Sequence, residues 1–371
     1  SDNTAVGHNA LLANTTGANN VAVGTQALDA NTTGTNNIAI GLHALGAITT
    51  VASTIGIGTN AGKAMVTGNG ENVIIGHNAA SAATTFQQTV AIGDNAIGSG
   101  VATGAGNVII GDNAGLSLTS GPSNVAIGGN ALDAHTTGTG ATAVGHSAMT
   151  AHTEGNFNTG IGYQSLLDAT TTSNTVGLGY NAGENITTGA NNTILGAGAD
   201  AVLTTGDNNT KVGHLCRSSA NNVSNEVVIG SNGMIGKGAS TAFISGGNGA
   251  VFAGNNATAF SQTSDRRIKK DIVPNTKGLA AIVQIEPKNF YYKSDEELQE
   301  EMPGAAEGLP LDKLTTSAIA QELELIFPEA IERRTKNNIL SVNTDPIFWS
   351  MINAIKELSA EIDELKDKLN G

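Results

Sequence analysis

Along the first 236 residues the hydrophobic positions arrive in one short pattern: an apolar residue, a small residue, a second apolar residue, then glycine, as in Val21-Ala22-Val23-Gly24 and Ile38-Ala39-Ile40-Gly41. Alignment on that glycine gives Gly7, Gly24, Gly41, Gly58, Gly76, Gly93, Gly111, Gly128, Gly145, Gly162, Gly179, Gly196, Gly213 and Gly230. Every step is 17 residues except two of 18, so the stretch holds fourteen units. A complete unit reads "TTGANNVAVGTQALDAN" (15–31), with a second short segment of Ala and Leu and then a polar turn. Apolar residues alternating around a small one have the period of a strand. "TTG" and "NN" recur too often for a helix to survive. One unit of this size cannot bury its few aliphatic side chains alone, whereas stacked units can, through a continuous ladder of backbone hydrogen bonds. The pattern therefore predicts a mainly β protein whose body is a parallel β-solenoid or β-roll. Fourteen coils at roughly 4.8 Å each make a rod on the order of 65 Å long. Small residues dominate the inward positions, so the core of one chain is thin and partner copies are expected. The glycine at one fixed place in each unit implies close backbone approach or a positive φ. The pairs Asn19/Asn20, Asn36/Asn37 and Asn191/Asn192 imply stacked ladders at the turns.

Past Gly236 the period fails. "STAFISGGNGAVFAGNNATAFSQTS" (240–264) still alternates as strands do and supplies Phe243, Phe252 and Phe260, so residues 237–263 read as a β-rich cap or connector. Residues 265–371 differ in kind: they hold 14 of the 18 Lys and Arg and 20 of the 32 Asp and Glu. Residues 264–371 are read as a separate α+β domain. Within it, 278–294 predicts a short helix and an aromatic strand, the acidic run after Ser294 a solvated loop, and 316–334 a tight entry and a short helix ended by Pro328. A turn and strand follow in "NNILSVNTD". The last segment places Phe348, Met351, Ile355, Leu358, Ile362, Leu365 and Leu369 at spacings of three and four, an a/d seam of about three heptads. Ile at a with Leu at d favours two strands in an isolated parallel coil, and the expectation of three chains from the rod overrides so short a seam.

Composition narrows the possibilities. Aromatic residues make up 4% of the 371 residues and glycine accounts for 48, unlike a globular core. A formal charge of -14 disfavours nucleic acid as a partner. The single Cys216 excludes an internal disulfide, and no Cys/His spacing forms a zinc site, so neither metal nor cofactor is expected. No apolar run is long enough to insert in a membrane. "SDNTAVGHNA" lacks the regions of a secretory signal and already contains a repeat unit, which points to a fragment of a longer protein. His8, His77, His146 and His214 all follow the repeat glycine, while His135 and His152 share one turn position. Each set is expected to lie along one face of the rod, solvated or stacked rather than binding metal. Asp29, Asp133 and Asp168 are read as another shared turn position, without the cleft that paired carboxylates need for glycoside hydrolysis.

The units "NNVAVGTQAL", "NNIAIGLHAL" and "SNVAIGGNAL" resemble the head repeats of trimeric adhesins, which build parallel β-rolls packed three around one axis. In the last third of the chain, "SDRRIKKDI", "AIAQELELIFPEAI", "LSVN" and the terminal "AIKEL" resemble the C-terminal intramolecular chaperone of phage tail fibres and tailspikes, including those carrying endosialidases. That resemblance implies a domain that trimerises, drives folding of the β-rich fibre upstream and then cuts itself off beside Ser264 and Asp265. A serine hydroxyl is a poor nucleophile without a base, and Lys269 can serve if it is neutral, a state favoured by burial and by Arg266, Arg267 and Lys270. Ser264 as nucleophile and Lys269 as base form the expected pair. The Ser264 hydroxyl most easily reaches the Thr263 carbonyl, placing the cut between Thr263 and Ser264; the bond before Asp265 is the second choice. Beyond this single-turnover self-cleavage no catalysis is expected. The reading is then a homotrimeric receptor-binding tail fibre, made in the host cytoplasm and carried on the virion. Its expected partners are a host-surface polysaccharide or protein and other tail proteins. The alternative is a cell-surface adhesin or stalk that uses the same chaperone.

Overall fold

The computed structural model describes residues 2–66, 68, 70–85, 87–98, 102–231, 233–245, 250–253, 266, 270–298, 314–333 and 340–370. The chain divides into two compact units, residues 1–263 and 264–371.

In the first unit each repeat contributes one three-residue strand, from β1 (Thr4–Val6), β2 (Val21–Val23) and β3 (Ile38–Ile40) to β13 (Thr210–Val212) and β14 (Val227–Ile229). These fourteen strands pair in sequence order and in parallel, with like residues opposite one another: Ala22 faces Ala39 and Val23 faces Ile40. β15 (Ala242–Ser245) continues the parallel sheet, and β16 (Ala250–Ala253) folds back on it antiparallel, ending the stack with a hairpin. The mainly β parallel solenoid is thus observed, with one strand per coil in a single sheet.

The rest of each coil is a chain of tight turns that also bond to the next coil, for example Leu28 N–H to the Ala44 carbonyl at 3.1 Å. Leu28 and Leu45 sit at φ 53° and 51°, in the left-handed region that costs a non-glycine residue roughly 1–2 kcal/mol. Both are fully buried, and burying a Leu side chain, at about 1.5–3 kcal/mol, offsets that cost. The repeat glycine meets both requirements set by its recurrence. Gly24 has φ 135°, and a Cβ there would lie 2.5 Å from the Gly41 carbonyl oxygen of the next coil.

The two Asn of each pair do different work. Asn19 and Asn36 lie exposed at φ 59°, the Asn19 amide donating a hydrogen bond to Asn36 Oδ1 at 3.3 Å. Asn20 and Asn37 are buried. The Asn20 side-chain oxygen accepts from Asn37 N–H at 3.0 Å, and its amide donates to the Gly34 carbonyl at 2.8 Å. An inner ladder of this kind satisfies backbone groups that the turns leave unpaired.

The core is narrow. The middle residue of each strand, Ala22, Ala39, Ala91 or Ile109, faces inward, along with the Leu and Ala of the turns. The first and third residues of each triplet face outward. The third is Val, Ile or Leu in all fourteen coils; Ile40, Ile127, Ile161, Leu178 and Ile229 remain 37–41% exposed. An outer sheet face in contact with water usually carries polar residues at such positions.

Near its end the solenoid breaks its own pattern. Lys211 occupies the inward middle position of β13 and is fully buried, as is Glu226, which takes the place of the ladder Asn in the next coil. Lys211 Nζ donates to Glu226 Oε2 at 2.8 Å, and the N–H groups of Gly238 and Ser219 donate to the same carboxylate at 2.7 and 3.1 Å. Burial pushes the Glu226 carboxyl up, but the Lys211 and Gly238 hydrogen bonds outweigh it and hold the group below the usual carboxylate range. Removing one partner of a buried pair strands the other, so Lys211→Ala is expected to destabilise the last coils by roughly 3–5 kcal/mol. Lys211→Ile with Glu226→Asn restores the residues of the preceding coil, Ile194 and Asn209, and should recover most of that loss. Amide exchange of coils thirteen and fourteen reads both variants.

The second unit is a small α+β domain: α1 (Leu279–Ile282), β17 (Lys288–Phe290), α2 (Asp295–Leu298), β18 (Thr315–Ser317), α3 (Ala320–Glu324), β19 (Ile331–Arg333), β20 (Leu340–Val342) and α4 (Asp345–Asn370). β17 pairs with β18 and β19 with β20, both antiparallel. A 3-10 turn over Pro328–Ala330 follows α3, and Leu323, Phe327 and Ala330 form a compact core under Ile282, Ile285 and Ile347. The long helix starts three residues ahead of the predicted seam because Pro346 fits the first helical turn, where its missing N–H is not needed.

Candidate functional site

The residues expected to perform self-cleavage, Thr263, Ser264, Asp265 and Lys269, lie outside the described residues. The structure does describe the chain that leads away from them and the helix that would bring copies together.

Residues 270–278 run as irregular chain onto α4 and are tied to it by polar contacts. Asn275 donates to Ser350 Oγ at 3.1 Å. Asn353 donates to the carbonyls of Asn275 and Lys277 at 2.9 and 3.0 Å. Leu279 N–H donates to Glu357 Oε2 at 2.6 Å, so the Glu357 carboxylate caps the start of α1. Gly278 leaves room for that approach: a Cβ there would displace the Glu357 carboxylate from its present place. Lys277 closes the arrangement from the other side: its Nζ donates to the Ile326 carbonyl at 2.6 Å and to Glu329 at 3.0 Å, and lies 4.6 Å from the centre of the Phe327 ring. Residues 275–279 are therefore fastened to the first half of α4.

Along α4 the residues of the expected seam are exposed. Phe348, Met351, Ile355, Leu358, Ile362, Leu365 and Leu369 are 41–85% exposed, whereas Ser350 and Ala354, on the side toward the domain core, are buried. An open groove of about 570 Å³ lies between α1 and α3, lined by Val283, Ile285, Ala318, Leu323, Leu325 and Ile326 with Glu286 and Glu322 among its walls.

The histidines sort as two sets. His135 and His152 are fully buried and stacked, with centroids 4.9 Å apart. Asn158 Nδ2 donates to His152 Nε2 at 2.9 Å, so His152 carries its proton on Nδ1 and donates to His135 Nδ1 at 2.9 Å. His135 Nε2 then donates to the Gly138 carbonyl at 2.9 Å. This chain of bonds requires both rings to be neutral. Burial, with His135 alongside, pushes His152 down to about 4, and burial lowers His135 as well. A depressed histidine supports the fold above its ordinary value of 6.5 and loses that support as pH falls toward 4. The loss amounts to about 3 kcal/mol from His152. His135→Leu with His152→Leu, matching the buried Leu118 and Leu203 of the same column, should flatten this part of the pH dependence in thermal unfolding between pH 7 and 4. His8, His77, His146 and His214 are exposed. Among the described residues no group of three or more His, Cys, Asp or Glu is placed to hold a metal ion, and no helix is long and apolar enough to cross a membrane.

Two features escaped the sequence reading. The outward Val, Ile and Leu column was legible as the third residue of each triplet, once the small middle residue is placed inside. The Lys211–Glu226 pair is signalled by two complementary departures from the repeat in adjacent coils. One expectation is corrected: Asp168 stands one residue further from its repeat glycine than Asp29 and Asp133, so the three do not share a column.

Residues 264–332 match the family described as chaperone of endosialidase. Behind a fourteen-coil parallel solenoid, this fits a tail fibre with a C-terminal chaperone domain. The match supports a folding and trimerisation chaperone on a fibre-like protein.

Proposed function

We propose that the chain is the distal part of a homotrimeric receptor-binding tail fibre whose chaperone releases itself once the fibre has folded. The observation that carries the assembly is the outward column of Val, Ile and Leu in all fourteen coils. A thin solenoid leaves this stripe in water unless other copies cover it, and a second apolar stripe on α4 meets the same need in the chaperone. Three chains joined along both stripes form a rod whose sheets face one another, with α4 as a short coiled coil that fixes the register.

Release follows from the chemistry of the boundary. The Ser264 hydroxyl attacks the Thr263 carbonyl carbon while Lys269 takes its proton. The amide C–N bond breaks as the Ser264 amine leaves, and the acyl group rests on Ser264 Oγ as an ester. Water then hydrolyses the ester, giving a carboxylate on Thr263 and a free hydroxyl on Ser264. The family match beginning at residue 264 and the division of the compact units between residues 263 and 264 support this location. Exposed on the virion, the fibre binds a host-surface receptor and joins other tail proteins.

The outward column is tested with Ile92→Lys and Ile110→Lys together, two changes that leave the inward side untouched. Native mass spectrometry of the cut rod should show monomers or lower-order species in place of trimers. Trimers that persist unchanged would assign the contact between copies to another face.

A further inference from the structure

Some columns of the solenoid keep one kind of residue in every coil, the repeat glycine and the outward Val, Ile or Leu among them. The position after the repeat glycine is different: it passes through Thr, Leu, His, Asp, Gly, Tyr and Ala without any repeat requirement. In coils nine to eleven it carries His146, Tyr163 and Tyr180, whose rings stack at 5.7 and 5.6 Å between centroids with planes 14° and 9° apart. Tyr163 and Tyr180 are 45% and 58% exposed. Residues 1–236 contain four aromatic residues, Phe86, Phe157, Tyr163 and Tyr180, and the last three, all exposed, fall within 157–180. The core uses none of these three rings.

We propose that this column is a carbohydrate-binding ladder that takes neutral pyranose rings against its two open ends. The inference rests on the reading of the rod as a receptor-binding fibre and assigns its ligand class and seat. Beyond His146 the column shrinks to Gly129, and beyond Tyr180 to Ala197, so each terminal ring borders a gap one coil deep. The next side chains of the column are Asp112 on one side and His214 on the other, two coil steps or roughly 10 Å from the terminal rings. That separation admits one pyranose. Leu215, 44% exposed, leans over Gly198 and gives the second gap an apolar side. The C–H face of a pyranose carries slight positive charge and seats on the negative face of an aromatic ring. At the first gap its hydroxyls meet the amide of Asn130 in the adjoining column. Asp94, Asp112, Glu154 and Glu184 in coils six to eleven, in a chain of net charge -14, repel sialylated, sulfated and other anionic glycans.

The full chain is applied to an array of neutral hexose and N-acetylhexosamine oligosaccharides beside sialylated and sulfated ones. Neutral members should bind. Tyr180→Ala should weaken them about tenfold, the scale of one lost stacking contact, and Tyr180→Phe should retain them. Ala197→Tyr, which adds a ring to the ladder and fills one gap, should also weaken binding. Binding unchanged in both Tyr180→Ala and Ala197→Tyr, or confined to acidic glycans, overturns the inference. Loss of trimers in Tyr180→Ala also overturns it, by assigning the column to contact between copies. A fibre that adsorbs to host cells but binds nothing on the array loses this inference and keeps the receptor-binding reading; failure of both assays removes both.

Discussion

Ser264→Ala is expected to abolish release of the chaperone while leaving the fibre folded and trimeric. Without the hydroxyl there is no nucleophile at the boundary, so intact mass should remain that of the 371-residue chain. Lys269→Ala should fail almost as completely. Lys269→Arg should fail too, since a guanidinium does not give up its proton near neutral pH. The reaction is also expected to depend on assembly. Asn275, Asn353 and Glu357 fasten the chain downstream of the boundary to α4, so a helix held in a trimer holds that chain in turn, and orientation of this kind supplies much of an intramolecular rate. Leu358→Asp, in the exposed stripe of α4, should therefore lower trimer content and cleavage together. Efficient cutting by Lys269→Arg, or by a demonstrably monomeric chain, would exclude Lys269 as the base.

The second large effect is expected when residues 1–263 are produced without the rest. Parallel strands whose partners lie a whole 17-residue repeat away close slowly and expose edges and apolar faces as they do so. The outward column offers fourteen equivalent positions along each chain, and a slip by one coil still matches Val to Ile. A trimer formed first at the C-terminus fixes that register. Produced alone, residues 1–263 should aggregate or assemble out of register. The same residues released from the full chain should stay trimeric and unfold slowly, because the element that guided folding has left. Equal solubility and equal trimer content from the two routes would remove the chaperone role.

The sequence made the strands readable because three-residue alternation and a fixed glycine recur fourteen times, so that Val21-Ala22-Val23 needed no wider context. Leu28 and Leu45 were harder. Hydrophobicity carries no information about the sign of φ, and an Ala-Leu pair gives no hint that its Leu turns left-handed into the core. The inward and outward sides of the sheet follow only once the stacked coils show that Ala22, rather than Val21 or Val23, is enclosed. Lys211 and Glu226 were invisible to a reading that averaged the repeats, since their meaning lies in departing from it at two adjacent coils. In the chaperone, α3 and α4 were legible from local signals, but α3 ends at Glu324, and Pro328 opens the 3-10 turn that follows rather than stopping the helix. The ties from Asn275 and Leu279 to α4 join residues more than seventy positions apart and have no local signature.

The central claim, a fibre that trimerises through its chaperone and then sheds it, is tested most directly by paired intact and native mass measurements on the purified full chain. The account predicts chains shortened to end at Thr263, assembled in threes, with a separate fragment beginning at Ser264. An uncut monomer of 371 residues at micromolar concentration would contradict it.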